Sequence, residues 1–194
     1  EIPVEDSVLT VEAEPAPEPA PEVAPEPAPE VAPEPEPVVI DTAGKSPIEI
    51  KMEKIGLVDI ETLTDDIPVS LMYARDDNFT GKILYKDLNR AYLHPDAAKA
   101  LLKAQAELKK IRPDLSLKVY DAARPRSIQQ QMWKVVENTD LQDFVANPNK
   151  SGGGAHNYGI AVDVTLADCT GHPIPMGSEY DYFGDRSRVD VEEE

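Results

Sequence analysis

The sequence predicts a single domain of mixed helices and strands behind an extended acidic tail. Two segments with helical spacing of apolar residues, His94 to Arg112 and Ser127 to Val136, stand beside two with strand spacing, Leu115 to Tyr120 and Ile160 to Leu166. Composition changes abruptly near residue 44, which sets expected boundaries of 1–44 for the tail and 45–194 for the domain. A domain of about 150 residues removes roughly 70% of its unfolded surface from water, so it needs neither disulfide nor metal merely to fold.

Of the 37 acidic residues, 12 lie in residues 1–44, where no basic residue occurs. The formal net charge of −18 therefore falls to −6 over the remainder. Ala13 to Pro37 is a Pro/Glu/Ala repeat whose only larger apolar residues are Val23 and Val31. Such a segment buries too little apolar area to offset the entropy of ordering, and proline at nearly every second position fixes φ and removes amide donors. The expectation is a polyproline-II spacer of roughly 80 Å, at about 3.1 Å per residue. Two readings fit it: a tether that holds the domain away from a cell-envelope anchor, or a docking ligand for a partner. The tail, with a chain that begins at Glu1 and not Met, gives a periplasmic or cell-envelope expectation, with the cytoplasm as the alternative. No clustered Lys and Arg supply a phosphate-tracking surface, so nucleic acid is excluded as a partner. No apolar run approaches the roughly 20 residues of a transmembrane segment. Cys169 is the single cysteine, so any metal must take His and carboxylate ligands.

Along the domain, Ile48 to Ile67 mixes apolar and acidic residues without a clean period and reads as short strands or coil. Val69 to Tyr73 reads as a strand, and Ala74 to Gly81 as a loop and turn. His94-Pro95-Asp96 opens a helix with Ala97, Ala98, Leu101, Leu102, Leu108 and Ile111 on one face; Lys109, Lys110 and Arg112 suit its C-terminal dipole, and Pro113 stops it. Leu115, Leu117 and Val119 then alternate with polar neighbours as a half-buried strand leading into Asp121 and Arg124. A second helix is expected from Ser127, with Ser127 and Gln130 as a capping-box pattern, an apolar side of Ile128, Met132, Val135 and Val136, and Trp133 in the core. Asn147 to Gly154 reads as a flexible loop ending at His156. From Ile160, the residues Ile160, Val162, Val164 and Leu166 point one way, leaving Asp163 on the other face of a core strand. Cys169 to Pro175 reads as a turn into a further short strand, and Met176 to Gly184 as an ordered loop.

The chemistry concentrates in His156-Asn157-Tyr158-Gly159-Ile160-Ala161-Val162-Asp163. A histidine at the mouth of a strand, a glycine that permits a tight bend and an aspartate within the strand place an imidazole nitrogen and a carboxylate oxygen near one small ion, and zinc accepts such ligands. The other reading is a His–Asp hydrogen bond that satisfies two buried polar groups.

The run from Gly153 to Thr165 resembles the Ser-x-His-x-x-Gly-x-Ala-x-Asp signature of the D-alanyl-D-alanine dipeptidases, the VanX-type zinc peptidases of vancomycin resistance and peptidoglycan turnover. Three further blocks fit in the same order. Leu71 to Gly81 resembles the family's Tyr-Ala-x-x-Asn-Phe-Thr-Gly block, Val119 to Pro125 its Asp-Ala-x-Arg-Pro block, and Met176 to Phe183 its Met-Gly-x-x-Phe-Asp block. The resemblance implies the small α+β fold of that group, a mostly antiparallel sheet backed by helices and shared with Hedgehog-like domains. It implies zinc, one per chain, with His156 and Asp163 as ligands, Arg124 beside it to stabilise an oxyanion, and Asp181 to receive the ammonium end of a small D-amino-acid dipeptide. For Arg124 the alternative is a salt bridge to Asp121 or another carboxylate, and for Asp181 a turn residue.

Three departures from the family pattern bear on the chemistry. Gly154 stands where Ser is usual, and Ala123 where an aromatic is usual. In the family a Glu-x-x-His element near the C-terminus supplies the third ligand and the general base; the chain ends at Glu192-Glu193-Glu194 before reaching one, and no His follows His172. His172 and His94 read as a turn cap and a helix start. The expectation is a C-terminally incomplete zinc dipeptidase acting on D-Ala-D-Ala, its hydrolysis slowed by the missing base. The alternatives are a D,D- or L,D-carboxypeptidase on peptidoglycan stems, or a non-catalytic cell-wall peptide-binding module.

Overall fold

Three helices and two short antiparallel strand pairs form the domain in the computed structural model, which describes residues 43–150 and 152–184. The expected spacer lies almost wholly outside the described residues, as do the terminal glutamates. All the described residues belong to one compact unit, and no helix among them is long and apolar enough to cross a membrane.

Helix α1, Pro47–Lys54, replaces the strand or coil expected after Ile48. Its start is a capping box: Ser46 Oγ accepts from the Glu49 amide at 3.4 Å, Glu49 Oε2 accepts from the Ser46 amide at 2.8 Å, and Pro47 sits in the first turn. With one buried apolar residue, Met52, the helix lacks the periodic stripe that would have shown it. Glu49 is buried and also accepts from the Asn89 amide, so its carboxylate serves the fold twice.

Strands β1, Val58–Asp59, and β2, Tyr92–Leu93, pair antiparallel just before helix α2, Pro95–Ile111. Helix α2 starts and stops as the sequence predicts, and His94 caps it through Nδ1, which accepts from the Asp96 amide at 3.3 Å. Its buried face is narrower than expected. Ala98, Leu101 and Gln105 are buried, whereas Ile111 is 78% exposed because the last turn runs past the core. Gln105 belongs inside because its amide is used at both ends, donating to Asp66 O and accepting from the Leu117 amide.

Strand β3, Ser116–Asp121, packs on α2 and pairs antiparallel with β4, Asp163–Ala167. The ladder runs in register from Ser116 opposite Ala167 to Val119 opposite Val164, then slips so that Asp121 lies opposite Asp163. That irregularity at Tyr120 turns the end of β3 toward the site. Three strand expectations need correction. Val69 makes only a parallel bridge to Val119 before a single 3₁₀ turn, Met72–Ala74. The strand expected from Ile160 begins at Asp163, and Ile160 and Val164 are 58% and 43% exposed, so the alternation does not mark a fully buried face. Pro173 makes one bridge to Ala167 where a further strand was expected. Helix α3, Arg126–Val136, begins ahead of Ser127 with Pro125 at its N-cap, so the Ser127 capping box does not form. Met132, Trp133 and Val136 are buried as expected, while Val135 faces outward.

Candidate active site

His156 lies in a 3₁₀ turn, Ala155–Tyr158, that Gly159 closes at φ 66°. A Cβ on Gly159 would stand 2.9 Å from Leu57 Cδ2 and 3.0 Å from the His94 backbone nitrogen, so both the conformation and the close approach require glycine. The turn is fastened to the segment after β3 by three hydrogen bonds. The Arg124 amide donates to His156 O at 2.9 Å, Asn157 Nδ2 donates to Arg124 O at 2.9 Å, and His156 Nδ1 meets Ala122 O at 2.8 Å. A carbonyl oxygen only accepts, so Nδ1 carries the proton and Nε2 is left for another partner. That partner is Asp163: its Oδ1 lies 3.3 Å from Nε2. Two lone-pair bearers at that separation need a proton or a cation between them. Two ligands of a tetrahedral zinc, bonded at about 2.0–2.1 Å, also stand about 3.3 Å apart.

Arg124 is 8% exposed and spans the floor of the site. Its Nε donates to Asp121 Oδ2 at 2.8 Å, its Nη2 makes a close ion pair with the same oxygen, and its Nη1 donates to Gln129 Oε1 at 2.8 Å. Three of the guanidinium's five donors are thereby used. The head also sits 5.1 Å from the Tyr73 ring centroid and 3.6 Å from Asp163 Oδ2. Arg124 is thus paired with Asp121, and it also lies beside Asp163.

Asp121, His156 and Asp163 form the metal-capable cluster among the described residues. Asp121 fits poorly as a ligand. It is fully buried, its Oδ2 is held by Arg124, its Oδ1 accepts from the Tyr85 hydroxyl at 2.6 Å, and its nearest approach to His156 is 3.8 Å to Nδ1, the nitrogen already spent on Ala122. Among the described residues the donor set therefore suits zinc as two ligands, His156 and Asp163. His94 caps α2, and His172 is engaged by Thr170 in a surface turn, so neither joins the cluster.

Asp181 lines the same cleft of about 830 Å³ as Arg124, His156 and Asp163. Its Oδ1 accepts from the Tyr73 hydroxyl and its Oδ2 from the Phe79 amide, both at 3.1 Å. At φ 58° it is also a turn residue. Burial pushes its pKa above the ordinary carboxylate value, only partly offset by those two hydrogen bonds. Sequence reasoning assigned no role to Tyr85, Gln129 or Tyr180, and the polar and aromatic character of these residues alone does not reveal one.

A family model described as D-ala-D-ala dipeptidase matches residues 53–193. The chain belongs to the D-Ala-D-Ala dipeptidase family. A relative named D-alanyl-D-alanine dipeptidase from Escherichia coli K12 is 37% identical over 136 residues, which cover 69% of this chain and 65% of the relative. One of the same name from Enterococcus faecium is 28% identical over 149 residues, 69% of this chain and 73% of the relative. A third, from Synechocystis, is 28% identical over 127 residues, 53% of this chain and 51% of the relative. The chain therefore spans about two thirds or less of the length of two of these three dipeptidase-family relatives. The family's α+β architecture accords with the helices and antiparallel pairs described above.

Proposed function

We propose that this domain is the substrate- and zinc-binding part of a peptidase that hydrolyses the dipeptide D-Ala-D-Ala. The carrying observation is the orientation of His156: Nδ1 donates to Ala122 O, and Nε2 faces Asp163 Oδ1 at 3.3 Å beside the Arg124 guanidinium. Family membership supports the reaction and substrate class. His156 and Asp163 would hold the zinc, which supplies Lewis-acid polarisation of the scissile carbonyl and activation of water.

The chain's own residues do the rest of what can be placed. Arg124, paired with Asp121, brings its guanidinium to the wall of the cleft, where negative charge builds on the carbonyl oxygen during attack. Asp181 offers a partly desolvated carboxylate to the substrate ammonium, with Tyr73 and the Phe79 amide fixing its direction. Gln129 ties the Arg124 head to Ala146 O at 2.7 Å through its own amide and so fixes the floor to the loop before the His156 turn. Among the described residues a third well-placed ligand is not supplied, since Asp121 is spent on Arg124 and Tyr85.

The test is zinc content together with release of D-alanine from D-Ala-D-Ala by the natural full-length protein. One zinc per chain and dipeptide turnover are expected, with both lost in His156→Ala and Asp163→Asn. A wild type that turns over the dipeptide while holding no zinc, or that captures stem peptides without cleaving any, refutes the proposal.

A further inference from the structure

The hydroxyl of Tyr180 touches the site but has no part in the roles above. It donates to Asp163 Oδ2 at 3.2 Å, while Oδ1 of the same carboxylate faces His156 Nε2 at 3.3 Å. The phenol is fixed from two sides. Its ring meets Tyr73 edge-on at 6.0 Å and Tyr120 edge-on at 5.4 Å, and Tyr120 is the residue at the irregularity in β3. The Arg124 Nη2, at 3.6 Å from Oδ2, is beyond direct hydrogen-bond distance, so it adds charge there without setting a direction.

We propose that Tyr180 is a positioning residue for the metal centre: its hydroxyl occupies Asp163 Oδ2 and presents Oδ1 alone to a divalent cation shared with His156. This rests on the reading of His156 and Asp163 as cation ligands. A carboxylate with both oxygens free turns about its Cβ–Cγ bond and meets a cation through one oxygen or two. One engaged oxygen fixes the plane and the denticity before any cation arrives. Hydrogen-bond partners of ligating carboxylates are worth about 10–100-fold in metal affinity.

Tyr180→Phe in the natural full-length protein tests this, because it removes the hydroxyl and keeps the ring contacts. Zinc affinity by chelator competition should fall about tenfold. In the cobalt-substituted protein the visible absorption should weaken, as the second oxygen of Asp163 joins the metal and coordination number rises. A wild type that holds zinc while Tyr180→Phe holds it equally tightly overturns the positioning role and leaves the ligand reading standing. A wild type that holds no zinc overturns both.

Discussion

Arg124 and Asp121 are both buried, so each charge depends on the other for its place in the interior. Asp121→Asn should therefore destabilise the protein by about 3–5 kcal/mol in urea titration, since it leaves a guanidinium buried without its counter-charge. The pair His156 and Asp163 carries a pH signature in metal-free protein. Burial pushes the imidazole pKa down, but the hydrogen bond and charge of Asp163 outweigh it and the net shift is upward. Burial pushes the Asp163 pKa up, and His156, with Arg124 and the Tyr180 hydroxyl, more than reverses it. A raised imidazole value stabilises fully below about pH 6.5 and loses that benefit as pH climbs through the folded value; a lowered carboxylate value helps above about pH 4 and loses it as pH drops through the folded value. With chelator present, the denaturation midpoint should thus be higher near about pH 5.5 than near about pH 8.5, and Asp163→Asn should flatten that difference. At this scale the sequence exposed the residues that belong to a motif. His156, Asp163, Arg124 and Asp181 stand in blocks of recognisable spacing, and the structure gathers all four around one cleft. Tyr85 and Gln129 matter through contacts with Asp121 and Arg124, and a pairing such as Tyr85 with Asp121 across 36 positions leaves no local pattern.

Among the elements, the 3₁₀ turn that carries His156 depends on Gly159. Gly159→Ala should cost at least about 1–2 kcal/mol for the left-handed backbone alone, and more because the new methyl meets the His94 nitrogen. Zinc affinity should fall with stability in that variant, whereas Ser46→Ala, which removes only the cap of α1, should cost about 1 kcal/mol in thermal unfolding and leave zinc affinity unchanged. The long amphipathic helix α2 was legible because its stripe, its proline start and its basic end agree. Helix α1 was missed because its evidence was a four-residue cap and not a period. Ile160 to Leu166 alternates as a buried strand would, yet Ile160 and Val164 face outward, because β4 belongs to a two-stranded ladder whose register is set by β3.

For the molecule as a whole, the mixture of helices and strands was readable from alternating periods and the α+β class from the resemblance of its motifs, while the site's closure was not, since it depends on how the loop from Met176 to Gly184 packs on β3. Met132, fully buried, joins the core to the cleft wall. Met132→Ala should cost about 2–5 kcal/mol and widen the cleft, read out as a lowered denaturation midpoint together with weaker dipeptide binding. The bond from His156 Nδ1 to the Ala122 carbonyl has a further consequence. Flipping the ring would set a carbon against that carbonyl and strand its lone pairs, so the imidazole behaves as a fixed post and not a swinging arm. An incoming ion has to displace a proton but need not rebuild its socket, and loading and stripping should leave the backbone around residues 154–159 superimposable.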